Sequence, residues 1–385
     1  MEVKQIYELV NATTKEILGE TAVQVNEDLT NVVDVGTAVL NANAVENYTK
    51  SLIDRIGKTI FVNRPYKGSA PKVLMDGWQY GSVLQKVRAD LPDAQENESW
   101  ELVDGQSYDP NIFKAPKVSN KFYNAKTTFE VQISITDIQF RSAFLNAESV
   151  NAFFSMIQTA VETSLTAKED SLIMRVIDNM IAETMYAEVP GGVYSGRSGA
   201  KAVNVLYLYN QATGSSLTAS GALYSKEFLR FATALMRKYI NRLRSLSKLF
   251  NIGATAKFTP NEDLHVVLHN DFIEQATSLL ESDTFHDEFV KLPKHEIVNY
   301  WQGSGTGYAW ADTSKISVKS SENHEVTLSN ILGVMFDTWA LGVCNKDNRV
   351  TTDRTGKAEF TNYYHKRDAH FFNDFDENFV VFYMA

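Results

Sequence analysis

Hydrophobic and polar residues alternate strictly along Thr127–Thr136. Phe129, Val131, Ile133 and Ile135 fall on one side, and Glu130, Gln132, Ser134 and Thr136 on the other. A period of two predicts a half-buried strand. After a short link at Asp137–Asn146 the period becomes 3.6, with Phe153, Phe154, Ile157, Val161, Leu165, Leu172, Val176 and Met180 at helical spacing. Glu162, Lys168, Glu169, Asp170 and Arg175 are expected on other faces, with Lys168 interrupting the stripe near its middle. Pro190-Gly191-Gly192 stops the pattern. A helix over 149–187 would be roughly 60 Å long, several times the ordinary three turns. Such an element reads as a structural spine rather than a catalytic scaffold.

Upstream, the pattern is broken into short pieces. Ile6–Leu18 and Asn43–Ile56 are amphipathic, with Gly57 as a stop signal, and they flank a polar, β-rich segment, Thr21–Val39. This reads as an arm that needs a surface on which to bury its apolar side. Residues 59–125 carry strand signals at Thr59–Val62 and Tyr80–Val87, and five of the eight prolines. Strands joined by many breakers predict an extended hairpin projecting from a body. A lone hairpin is marginally stable, so it is expected to lie on a neighbour. Its cations, Arg64, Lys67, Lys72, Lys86 and Arg88, precede a strongly acidic run over 90–101, a charge division suited to register between subunits.

Downstream, Val203–Tyr209 is apolar. Phe228, Ala232, Leu235, Tyr239, Leu243, Leu246 and Phe250 form one face of a helix. Leu264–Leu268 reads as a short buried strand, and Asn270-Asp271 can cap a helix over Phe272–Leu280. Short strands follow at Ile297–Trp301, Tyr308–Ala311, Ile316–Lys319, Val326–Leu328, Leu332–Phe336 and Ala340–Cys344. A hairpin turn is expected around Arg354–Lys357, and a final strand at Phe379–Met384.

Composition narrows the function classes. The 385 residues are 44% hydrophobic and 11% aromatic, enough for a large core. No apolar run reaches membrane-span length, and the first residues lack a signal-peptide layout. Cys344 is the only cysteine, so no internal disulfide can form and a reducing compartment is expected. Net charge is −10, which argues against the whole chain being a nucleic-acid grip. Yet Arg237, Lys238, Arg242, Arg244 and Lys248 follow one another on a predicted helix with no acid between them. They read either as a face for DNA phosphates or an acidic partner, or as a solvated helix face.

Candidate chemistry is thin. Gly303–Gly307 lacks the Gly-Lys-Ser/Thr ending of a phosphate loop and precedes a strand, so a hairpin turn is expected. His265 and His269 share a strand face, four residues apart, without a third ligand by spacing. His365, Asp368 and His370, with Asp374, Asp376 and Glu377, form the densest titratable cluster. It could support acid–base chemistry or serve as a polar turn between strands. No catalytic, cofactor or metal residue is assigned.

In order, the parts are arm, projecting hairpin, strand, spine helix, α/β unit and returning strands. That order resembles the major capsid proteins of tailed bacteriophages (the Hong Kong ninety-seven type fold). Local resemblances lie in Glu46–Gly57, Val131–Asp137, Asp263–Leu280, and the runs Arg349–Thr352, Glu359–Tyr364 and Glu377–Tyr383. The closing runs are similar to those of phages infecting Gram-positive bacteria. The resemblance implies an α+β capsid fold: an arm (1–58), an extended loop (59–125), a peripheral domain with the spine (126–222), an axial domain (223–344), and returning strands completing the peripheral domain (345–385).

It also implies hexamers and pentamers closing a shell around packaged double-stranded DNA, assembled in the host cytoplasm. A separate scaffolding protein, a portal and no enzymatic activity are further expectations. Inter-subunit contacts are then expected at Tyr48, Arg55, Arg64, Lys67, Lys72 and Arg88. An encapsulin-like shell shares the fold, and a hydrolase using His365–Glu377 is the rival from another class.

Overall fold

The computed structural model describes residues 3–42, 44, 47–48, 51–52, 70–73, 84–89, 104–105, 113, 115, 117–143, 147–281, 294–302 and 309–385. Its longest element is the spine helix, Ala147–Glu188, of 42 residues, about 63 Å at 1.5 Å per residue.

Among the described residues, twelve strands and several helices assemble around that spine. Five strands form the central sheet, in the order Ala202–Asn204 (β4), Phe379–Tyr383 (β12), Ile331–Asp337 (β9), Leu264–His269 (β5) and Glu296–Val298 (β6). β9 and β12 are buried at every position, because both faces of this sheet are covered. Phe379, Val381, Tyr383, Val334 and Phe336 point toward the C-terminal half of the spine. Val380, Phe382, Leu332 and Met335 point the other way. There they meet helices Val205–Thr213 (α5), Lys226–Leu243 (α7) and Asn270–Glu281 (α8). Gly333 sits where β9 crosses closest to β5: a Cβ there would lie 2.6 Å from the Val267 carbonyl oxygen.

The second sheet has the order Leu341–Thr355 (β10), Phe360–Asn373 (β11) and Lys126–Thr136 (β3). β10 and β11 form a long antiparallel hairpin with a bulge between Asn345 and Asp347. β3 alternates between exposed and partly buried residues, as its sequence predicts. Its apolar side packs, with Tyr363, on the N-terminal half of the spine. β12, expected to return with β10 and β11, instead lies in the central sheet between β4 and β9. Two smaller antiparallel pairs complete the described strands: Leu84–Ala89 (β1) with Val118–Tyr123 (β2), and Ile316–Lys319 (β7) with Glu325–Leu328 (β8).

The arm helices Val3–Leu18 (α1) and Val32–Asn41 (α2) bury Ile6, Val10, Val32, Val35 and Val39 against the spine residues Val150, Ile157, Val161 and Leu165. The arm's apolar side is therefore covered by its own chain. The β-rich expectation for Thr21–Val39 is corrected: Val32, Val35 and Val39 are spaced for one helix face, and packing overrides the β preference of valine. Tyr308–Ala311, expected as a strand, gives way to a one-turn helix at Trp310–Thr313. The strand expected at Thr59–Val62 and the Gly303–Gly307 turn lie outside the described residues.

Candidate assembly surfaces

The spine's polar residues lie differently from the expectation. Lys168 is exposed, but Glu162 and Glu169 are buried. Glu169 follows Leu165 by one helical turn and so interrupts the buried stripe itself. Its carboxylate pairs with Arg367 of β11 at 2.5 Å and accepts from Asn345 Nδ2 at 2.9 Å. Both side chains of the ion pair are only 4% exposed. A lone charge in an apolar stripe was the available signal, but only the fold supplies its partner.

The expected acid–base cluster does not form one site. His365 and His370 are buried on β11. Asp368 lies at the sheet surface, bound by both Arg349 nitrogens and by Thr128 Oγ1. The Arg349 bonds, with that from Thr128, hold its carboxyl below the usual range against a modest burial cost. Asp374, Asp376 and Glu377 sit in the turn between β11 and β12, at the foot of the β1–β2 ribbon.

Four cations converge on that turn. Lys86 Nζ lies 2.6 Å from Asp374 and 3.3 Å from Glu377, and donates to the Trp339 carbonyl. Lys121 Nζ lies 2.8 Å from Asp374 and 2.6 Å from Asp376. Arg88 reaches Asp376 at 3.1 Å, and Lys257 reaches Glu377 at 2.8 Å. Burial alone would raise the Asp374 pKa, but bonds from Lys121 and Lys86 hold it down to about 2. Burial works against the Lys121 charge, yet its two carboxylate partners raise its pKa. Tyr123 is raised by burial and by the neighbouring carboxylates.

The other histidines have structural partners. His265 Nδ1 lies 2.9 Å from Glu296, with its ring stacked on Phe336. His269 is buried edge-on to Trp310, its Nδ1 accepts from the Asp271 amide, and burial lowers its pKa. Among the described residues, no group of His, Cys, Asp and Glu could hold a metal ion. Cys344 is buried in β10.

The contact candidates divide similarly. Arg55, Arg64 and Lys67 lie outside the described residues. Arg88 is engaged by Asp376 of its own chain. Tyr48 is fully buried, its hydroxyl 2.9 Å from Thr14 Oγ1, and burial pushes its pKa to about 12. In this conformation it offers no surface to a neighbour, which corrects its assignment as a contact. Lys72 is exposed, and its amide donates to Glu296.

The basic set starts on α7, which Ser225 caps by accepting from the Phe228 amide. Arg237 is half-buried, Lys238 and Arg242 are exposed, and Arg242 lies over the Tyr239 ring at 5.1 Å. The helix ends at Leu243, so Arg244 is its cap and Lys248 lies beyond it, correcting the expectation of one helix for all five. Arg230, Arg237, Lys238 and Arg242 line a trough of about 730 Å³ floored by Thr233, Ala234 and Ser245. Sequence reasoning missed Arg230, which lies seven residues before Arg237 on the same helical stripe.

The chain is similar to known proteins. The chain is 23% identical over 273 residues to the major capsid protein of Bacillus phage GA-1, an alignment covering 70% of this chain and 51% of that one. It thus spans about half the length of that relative. A chain in the capsid structure of Staphylococcus phage Andhra superposes with a TM-score of 0.49 at 10% identity, covering 83% of this chain and 84% of the other. One in the capsid structure of cyanophage P-SCSP1u gives 0.47 at 11%, covering 84% and 90%. The model of the Phi29-like phage major capsid protein family matches residues 10–383, through the arm, spine, both sheets and the basic helix, and the chain belongs to that family.

Proposed function

We propose that this chain is the shell-forming subunit of a phage head, closing as hexamers and pentamers around packaged double-stranded DNA. The family likeness over residues 10–383 carries the reading, since it takes in every core of the molecule. Closed symmetric assembly gives a role to surfaces that one subunit leaves open. Val87, Val118 and Phe122 of the ribbon are each more than half exposed. The trough of α7 is the surface for DNA phosphates or an acidic neighbour. The units are the arm, loop, peripheral and axial domains given above, and a separate scaffolding protein and a portal are the further partners.

The test is negative-stain microscopy of the purified protein, with and without its companion scaffold. Closed shells of uniform size are expected when the scaffold is present. A discrete small oligomer under both conditions would overturn the reading. Uniform closed shells from the chain alone would remove the scaffold from it.

A further inference from the structure

Among the described residues, the β1–β2 ribbon contributes none to the three hydrophobic cores. It touches the body with the Tyr123 ring against Phe372, at 5.2 Å between centroids. A two-stranded ribbon does not hold its place alone. What ties it down is charge: Lys86, Arg88 and Lys121 reach Asp374, Asp376 and Glu377.

The two sides of this contact are built differently. The carboxylates are fixed. Gly253 donates to the Phe375 carbonyl, Thr255 Oγ1 donates to the Asp376 carbonyl, and any side chain at residue 253 would collide with Asp376. Their side chains are 5–17% exposed, whereas the ribbon cations are 20–39% exposed and stand on long flexible stems. A rigid acidic cup therefore faces adjustable cations.

We propose that this network is a latch: it holds the β1–β2 ribbon against the body, and its release frees the ribbon without unfolding the body. Lys257 keeps Glu377 paired when the ribbon leaves, while Asp374 loses both Lys86 and Lys121. Opening is therefore costly unless other cations, or a proton, reach Asp374. Besides these cations, the groups facing the cup are Tyr123 from β2 and Asp337, itself bonded to Thr259 and near Asp263. Against burial, the bonds from Lys121 and Lys86 hold the Asp374 carboxyl well below the usual range, which favours its charged, latched form. Its consequence for assembly, that the β1–β2 ribbon is in place before a second copy arrives, rests on the shell reading; the latch itself does not.

Hydrogen exchange on the unassembled chain tests it. In Lys86→Met/Lys121→Met, the amides of β1 and β2 should exchange at least about tenfold faster, while β9 and β12 keep their protection. Arg88→Gln should give a smaller loss on the same strands, and it decides the matter by the same criterion if the double variant does not fold. Unchanged ribbon protection, or a loss spread evenly into β9 and β12, would overturn the latch. Shell formation plays no part in this readout, so failure of the shell reading would leave its result standing.

Discussion

The two halves of the spine helix are continuous in backbone and opposite in character. From Leu172 to Met185 the helix is buried over a wide arc, with Ile173, Val176, Ile177, Met180 and Ile181 all inside the central core. From Val150 to Leu165 its described apolar residues form a narrow stripe, about one per turn, against the arm and the three-stranded sheet. The C-terminal half is a floor on which the central sheet is laid; the N-terminal half is a seam. Helix length alone does not distinguish them. The difference is how many neighbouring elements each turn must satisfy, and the Glu169–Arg367 pair marks where one regime gives way to the other.

Breaking that boundary should have the largest effect. Arg367→Ala leaves Glu169 charged and buried, and is expected to cost about 3–5 kcal/mol in denaturant unfolding. A loss under about 1 kcal/mol would mean that water reaches the pair. Next comes the floor: Ile177→Ala should cost about 2–5 kcal/mol and lower a single cooperative transition. In the seam, Ile157→Ala should fall at the low end, about 2 kcal/mol, because the arm can move to fill the space. Its distinguishing mark is faster exchange in α1 and α2 with β9 unchanged; equal loss in both would erase the contrast between the halves.

Removing the hydroxyl in Tyr48→Phe should cost about 0.5–1.5 kcal/mol, read as earlier proteolysis of the arm. The last change has the opposite sign. Asp178 is buried on the spine, its Oδ1 has no hydrogen-bond partner among the described residues, and burial holds its pKa well above the usual carboxylate range. An acid whose folded pKa is raised loses stability as pH climbs above its unfolded value. Asp178→Asn should therefore raise the melting temperature at pH 7, with the gain fading toward pH 4. A lower melting temperature at pH 7 would show that the charge has a partner.

Periodicity made the regular parts legible. The spine, expected over 149–187, runs Ala147–Glu188, and the alternation in β3 matches its exposure residue by residue. The helix from Asn270 and the turn near Gly356 also follow local signals. Where local propensity and packing disagree, the reading fails: the valines of α2 form a helix because their spacing meets the spine. Partners distant in sequence leave no trace at all. Lys86 and Asp374 are 288 residues apart, and nothing near either one names the other. The hairpin's cations therefore read as free for a neighbour, although Lys86 and Arg88 are spent within the chain.

The place of β12 has a consequence for biosynthesis. It lies between β4, some 180 residues earlier, and β9, and it supplies apolar side chains to the cores on both faces. A polypeptide cut short before Phe379 would carry two half-built interiors and two raw strand edges. Such a fragment could neither close its own interior nor present the surfaces a full subunit presents. Both interiors and both edges therefore close only in a chain translated through residue 383.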